Sequence, residues 1–167
     1  MIHAYTDGSC EPNPGRGGWG VYIETDRFPF GLQNYKLNGK VEHETTNNEM
    51  EFLAALQALE FVQSRKDWVN DTLTVFSDSQ LFVNTVNATW RAKKPHLQEI
   101  LSSIFVLRDN LEEYRNIKTH FKWVKGHSGV AGNVIADLLA RFGQDHKPFE
   151  NFTIKQVKSH GKWNPVF

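Results

Sequence analysis

Cysteine is almost missing from this chain: Cys10 is the single one in 167 residues. One thiol excludes an internal disulfide framework and any multi-cysteine zinc site, and it fits a reducing compartment. Long apolar runs are missing too. None approaches the roughly 18 residues needed to cross a bilayer, and the opening MIHAYTDGSC has no basic region followed by an apolar stretch and cleavage site. A cytoplasmic, soluble protein with no membrane partner is therefore expected. There is also no excess of charge, with 19 basic residues against 19 acidic ones. Bulk charge thus gives no support to non-specific nucleic-acid binding, and any such role must come from local patches. Neither internal repeats nor low-complexity segments stand out. What is present, 40% hydrophobic residues over this length, suffices for one compact domain and is short for two.

IHAYTDGS alternates Ile2, Ala4 and Thr6 against His3, Tyr5 and Asp7, the period of a strand. EPNPGRGG breaks it, and Gly17-Gly18 leads into a second strand, WGVYIET. After a turn around 27–29, a third runs through GLQNYKLNGKVEHE, which makes an antiparallel meander. From residue 50 to 65 the period changes: Phe52, Ala55, Leu56, Leu59 and Val62 recur at helical spacing. LTVFS is a short strand, a helical segment follows over 79–90, and Pro95 starts a longer helix. Residues 120–124 form a last strand. A final helix carries Ile135, Leu138, Leu139 and Phe142 on one face, stopped by Gly143. The order β-β-β-α-β-α-α-β-α predicts an α/β fold, with a mixed sheet covered by helices. Residues 144–167, with Phe149, Phe152, Trp163, Lys155, Lys158 and Lys162, read as a tail that either packs back or meets a partner.

Ligands of open α/β sheets gather at strand ends, so each carboxylate there needs its own weighing. Asp78 directly follows LTVFS, and from position alone it can cap the next helix or hold a ligand. Asp7 sits inside a strand, where a charge calls for a partner or a metal. TTNNEME holds two glutamates that separate on helix geometry. Thr46 followed by Glu49 is a capping box, in which the hydroxyl accepts a first-turn N–H and Glu49 reaches back to the cap. Glu51 lies about 200° further round the helix, on the face of Ala54, Ala55 and Ala58, small residues that let a helix approach a sheet. Asn133 and Asp137 share one edge of the last helix, open between a solvated face and a site. His127 lies in KGHSGVAGN, a loop flexible at Gly126, Gly129 and Gly132, and reads either as exposed or as chemical.

These pieces resemble ribonuclease H type 1. YTDGSCEPNPGRGGWG resembles that family's first-strand motif, TTNNEMEFLAALQALE its first helix, FSDSQ its fourth strand end, and WVKGHSGVAGNVIADLLA its last loop and helix. The blocks fall in the family's order and each carries a carboxylate. The resemblance implies a ribonuclease H-like fold: a five-stranded mixed sheet, three antiparallel strands first, flanked by helices, with a catalytic domain over 1–143. It implies an endonuclease cutting the RNA strand of RNA–DNA hybrids to 5′-phosphate and 3′-hydroxyl ends. It further implies Asp7, Glu51, Asp78 and Asp137 as ligands of two Mg²⁺ ions, for which Mn²⁺ can substitute, and His127 as the family's mobile histidine. Hard oxygen ligands suit magnesium, and two dications serve an in-line phosphodiester displacement. Hybrid recognition falls to Asn13, Asn47, Asn48, Gln80 and backbone groups around Cys10 for the 2′-hydroxyl, with Asn133 beside them. Thr46 is matched to a DNA phosphate and Trp90 to DNA sugars, although a core position also suits a tryptophan. A monomer is expected.

The chain departs from the pattern in places. Where well-known bacterial members carry a basic helix and loop, only Arg91-Ala92-Lys93-Lys94 remains, which predicts weaker and more salt-sensitive binding. Glu44 stands where relatives often place an arginine beside the phosphate-holding threonine. A hybrid-binding module or subunit with weak or partner-dependent catalysis is the alternative. Four clustered carboxylates argue against it, because a pure binder gains affinity by losing negative charge near phosphates.

Overall fold

Residues 1–27 and 31–145 are described by a computed structural model of the chain. Strands β1 (Ile2–Cys10), β2 (Gly17–Arg27) and β3 (Gly31–Lys40) precede helix α1 (Asn47–Ser64). Strand β4 (Asp71–Ser77), helices α2 (Gln80–Val86) and α3 (Pro95–Arg115), strand β5 (Ile117–Trp123) and helix α4 (Ala131–Asp145) follow. The sheet order is β3-β2-β1-β4-β5, with β1, β2 and β3 antiparallel and β4 parallel to both β1 and β5. The element order and the mixed sheet are those the hydrophobic periods predict.

One face of the sheet takes α1 and α3, the other α4. Ile2, Ala4, Val21, Ile23, Leu73 and Val75 are fully buried under α1, whose Phe52, Ala55, Leu59 and Val62 meet them. Phe52, Phe82 and Phe121 pack edge to face with centroids 5.1 and 5.8 Å apart, which ties α2 and β5 to the same core. Burying each such ring contributes about 2–3 kcal/mol. Opposite them, α4 crosses β1 and β2 so closely that a Cβ on Gly20 would lie 2.4 Å from the carbonyl oxygen of Ala136 and 2.6 Å from the amide nitrogen of Ala140.

Element limits moved for local reasons. α1 starts at Asn47, ahead of the first periodic residue, because Thr46 is extended and its Oγ1 accepts from Glu49 N at 3.2 Å. The other half of the capping box differs: the Glu49 carboxylate accepts from Thr45 Oγ1 and lies 3.1 Å from His43 Nε2. β3 ends at Lys40, and Thr45 instead bridges to Gly15. α2 stops at Val86, well short of residue 90, since Asn87 ends it and Ala88 turns to φ +65°. β5 begins at Ile117, earlier than the aromatic run suggests, because Asp71 to Ser77 offer it a complete parallel partner.

Two expectations for α4 are corrected. Gly143 does not stop the helix, which runs to Asp145; it is the close-approach point to β3, where a Cβ would lie 2.4 Å from the Gly39 carbonyl oxygen. Leu138 is 38% exposed, so it does not belong to the core face with Leu139. The small residues Ala136 and Ala140 set that face, because only they fit against the glycines of β2. Of the tail expected over 144–167, residues 144 and 145 belong to α4 and the others lie outside the described residues, as does the turn from residue 28.

Gly20→Ala is expected to destabilise the protein by about 2 kcal/mol or more, as overpacking against rigid backbone does. Denaturant unfolding checks this, and an unchanged midpoint would contradict the close crossing of α4.

Candidate active site

Parallel pairing of β1 with β4 ends with Thr6 matched to Ser77, so Asp7, still inside β1, and Asp78, just past β4, stand side by side one residue further on. Asp78 is not the helix cap that its position allows. Ser79 takes that role, with Oγ accepting from Phe82 N at 3.1 Å, which leaves the Asp78 carboxylate free to face Asp7. Glu51 arrives from the start of the second turn of α1. Gly8 lets that turn sit on β1, since a Cβ there would lie 2.5 Å from Glu51 N and Met50 C. Its amide donates to Asp7 Oδ1 at 2.9 Å and to Glu51 Oε1 at 3.1 Å. One oxygen from each of Asp7, Glu51 and Asp78 lies within 4.8 Å of the others.

This is a costly arrangement without a cation. Asp7 is 5% exposed and Glu51 8%, and no lysine or arginine ion pair among the described residues reaches them or Asp78. Burial raises the Asp7 carboxyl to about 7, helped by the charges of Asp78 and Asp137 and opposed by its hydrogen bond with Glu51. Burial, then the Asp7 charge, pushes Glu51 well above the usual carboxylate range. Asp78 is raised by burial and by Asp137, while His127 and a hydrogen bond from Asn133 favour its ionised form. Three hard oxygen donors that repel one another unless neutralised fit a divalent cation of the magnesium type.

Asp137 stands outside this trio. It lies on α4, half-buried, and Arg141 one turn on grips it through Nη2 at 2.9 Å and Nε at 3.3 Å. Its charge nonetheless acts on both Asp7 and Asp78, so it borders the cluster. Asn133, left open as a solvated position, is 4% exposed and hydrogen-bonds Asp78. His127 is exposed at φ +55° in the loop before α4 and faces Asp78 as a charge.

The remaining candidates divide. Asn47 N donates to Asn13 Oδ1 at 3.2 Å, which joins the β1–β2 turn to the start of α1, where Thr46 and Asn48 also lie. Cys10 is buried, its Sγ donating to Thr45 O at 3.2 Å, so only its backbone can face a ligand. Gln80 opens α2 on the surface next to Asp78. Trp90 is 46% exposed, against a core role, and lines a groove with Gln98, Leu101 and Phe105 away from the carboxylates. Residues 87–94 between α2 and α3 contain no helix. Two partners were missed in sequence: Ser77, whose Oγ lies 3.5 Å from Glu51 Oε2, and Arg141. Arg141 was legible as an i, i+4 pair with Asp137; Ser77 was not, because its contact spans the fold.

The sheet order, with Asp7 inside β1 beside Asp78 just past β4, defines an α/β protein of the ribonuclease H-like class. The RNase H family model matches residues 1–145, and the chain belongs to that family. It is 38% identical over 152 residues to the ribonuclease H of Ruthia magnifica subsp. Calyptogena magnifica, covering 86% of this chain and 95% of that one. With the ribonuclease H of Francisella tularensis subsp. novicida (strain U112) it shares 37% over 149 residues, 83% of this chain and 88% of the relative. Among solved structures, LC11-RNase H1 in complex with an RNA/DNA hybrid superposes with TM-score 0.70 at 30% identity, covering 87% and 98% of the two chains. RNase H1 of Halobacterium salinarum NRC-1 shares the fold at TM-score 0.69 and 24% identity, over 87% and 98%.

The raised carboxyls set a pH dependence in chelator. Asp7 is protonated in the folded protein up to about 7 and in the unfolded chain only below about 3.8, so folded stability falls as pH rises between them. Asp7→Asn removes this penalty, whose upper bound is roughly 4 kcal/mol. The variant is expected to melt several degrees higher than wild type at pH 8 and to lose that advantage toward pH 4. A gain equal at both pH values, or a lower melting temperature at pH 8, contradicts the burial argument.

Proposed function

We propose that this protein is a magnesium-dependent ribonuclease H that hydrolyses the RNA strand of RNA–DNA hybrids endonucleolytically, leaving 5′-phosphate and 3′-hydroxyl ends. The observation that carries the reading is the convergence of the buried Asp7 and Glu51 with the half-buried Asp78, none of them in a lysine or arginine ion pair among the described residues, in a chain of the RNase H family. The hybrid in the LC11-RNase H1 structure supports the substrate.

In this reading Asp7 would hold both of two Mg²⁺ ions, or Mn²⁺ in their place, Glu51 and Asp78 the first, and Asp137 the second. When bound, the ions ease deprotonation of the attacking water and offset the charge that builds at phosphorus. The chain's own groups prepare for this. The Gly8 amide fixes one oxygen each of Asp7 and Glu51, Asn133 turns Asp78, and Arg141 turns Asp137. His127, exposed on its loop, moves protons or helps product leave. Asn13, Asn47, Asn48 and Gln80, with the backbone at Cys10, meet the 2′-hydroxyl side, Thr46 a DNA phosphate and Trp90 the DNA sugars. Trp90 is accessible enough for that task. Only Arg91, Lys93 and Lys94 supply positive charge between α2 and α3, so phosphate contacts are few and, against the greater salt sensitivity expected from the sequence, the salt dependence of binding is shallow, because its slope scales with the number of contacts.

The catalytic domain takes in the expected span 1–143 and the two further residues that complete α4, acting as a monomer in the cytoplasm. A lone buried thiol fits that compartment, and among the described residues no helix is long and apolar enough to cross a membrane.

Purified protein with Mg²⁺ should cut an end-labelled hybrid in its RNA strand, spare duplex DNA, and lose this activity to background on Asp7→Asn. A folded wild type that binds the hybrid but leaves it intact at every metal concentration would instead establish a binding module. Metal binding should also release protons, because Asp7 and Glu51 must ionise to ligate. Calorimetric titration in buffers of different ionisation enthalpy reads this directly: heats that do not vary with the buffer at pH 6.5 count against a site at these carboxyls.

A further inference from the structure

The turn between β1 and β2 is held from both sides. Toward α1, Cys10 Sγ donates to Thr45 O at 3.2 Å and Asn13 Oδ1 accepts from Asn47 N at 3.2 Å. Toward α4 the link is Gln144. Its Oε1 accepts from Ser9 Oγ at 2.6 Å and its Nε2 donates to Glu11 O at 2.6 Å. The side chain is 7% exposed, so this is a buried amide with both ends satisfied across more than 130 residues of sequence. The helix cannot follow it away, because the last turn of α4 lies on β2 where a Cβ at Gly18 would come 2.1 Å from Gln144 N.

Gln144 lies two turns beyond Asp137 on the same side of α4, and the two share one open groove with Ser9, Cys10, Asn13 and Arg141. A single helix thus carries a candidate metal ligand at one point and a clamp on residues 9–13 at another. We propose that Gln144 is a positioning residue: through Ser9 and Glu11 it sets the segment 9–13 at the distance from the acidic centre at which a ribose 2′-hydroxyl is read. This rests on the hybrid-cleaving function proposed above. Hydrogen-bond recognition is steep in distance and angle, so a loosened segment loses discrimination before it loses chemistry. Removing the amide leaves Ser9 Oγ and Glu11 O without partners, and the segment relaxes toward water.

The test uses the full chain with Mg²⁺ and two variants, Gln144→Ala and Ser9→Ala. Each is assayed for steady-state cleavage of an RNA–DNA hybrid and of the same hybrid with a single 2′-fluoro or 2′-O-methyl nucleotide at the cleaved position. Gln144→Ala is expected to raise KM about tenfold with kcat little changed, and to narrow the preference for the unmodified ribose by a similar factor, the scale of one neutral hydrogen bond to substrate lost. Ser9→Ala, which removes one of the two bonds, should move both quantities the same way by less. If Gln144→Ala fails to fold, Ser9→Ala decides alone. A lowered melting temperature with KM and ribose preference unchanged means that Gln144 only stabilises the fold, and overturns the inference while leaving the hydrolase reading intact. A wild type that does not cut the hybrid removes that reading and this inference with it.

Discussion

The close approach of the buried carboxyls of Asp7 and Glu51, both of which accept from the Gly8 amide, is the constraint on which the rest of the site depends. It forms because the N-terminal part of α1 lies against β1 at Gly8, where no side chain keeps the two backbones apart. Both groups are then too deeply buried to ionise together unless positive charge is supplied. The protein thereby carries electrostatic strain that a divalent ion relieves. The geometry that raises both carboxyls also sets three hard oxygen donors where they could hold a divalent ion.

Other contacts serve that pair at a distance. Ser79, by capping α2, releases Asp78 from the cap and leaves it facing Asp7. Asn133 and Arg141, one on each side of Asp137 along α4, orient Asp78 and Asp137 respectively. Because α4 lies against the glycines of β2, a shift of the helix would move both acids at once. The acidic centre is therefore a property of how two helices sit on one sheet, more than of any one segment.

Legibility varied with the range of the interaction. The cap at Thr46 and the alanine face of α1 were readable because both act within a turn or two of helix, and they separated Glu49 from Glu51 correctly. Asp78 was ambiguous because an aspartate and a serine in succession can each cap a helix, and only the hydrogen bond to Phe82 N decides between them. Leu138 and Gly143 were misread for one reason. Periodicity ranks residues by hydrophobicity, whereas α4 packs by size, turning its smallest residues to the sheet and leaving a leucine in water. Trp90 could equally have filled a core; its exposure follows from the early end of α2.

By itself the sequence determined the order of elements, the mixed sheet and the four acids that the family's blocks carry, since period, turn residues and motif spacing are local quantities. Tertiary structure alone decided which of those acids meet, how deeply they are buried, and that Gln144 of the last helix bonds Ser9 and Glu11. Those outcomes depend on strand register and on the closeness of helix to sheet. Both are set by contacts between residues far apart in the chain, where sequence spacing carries no distance.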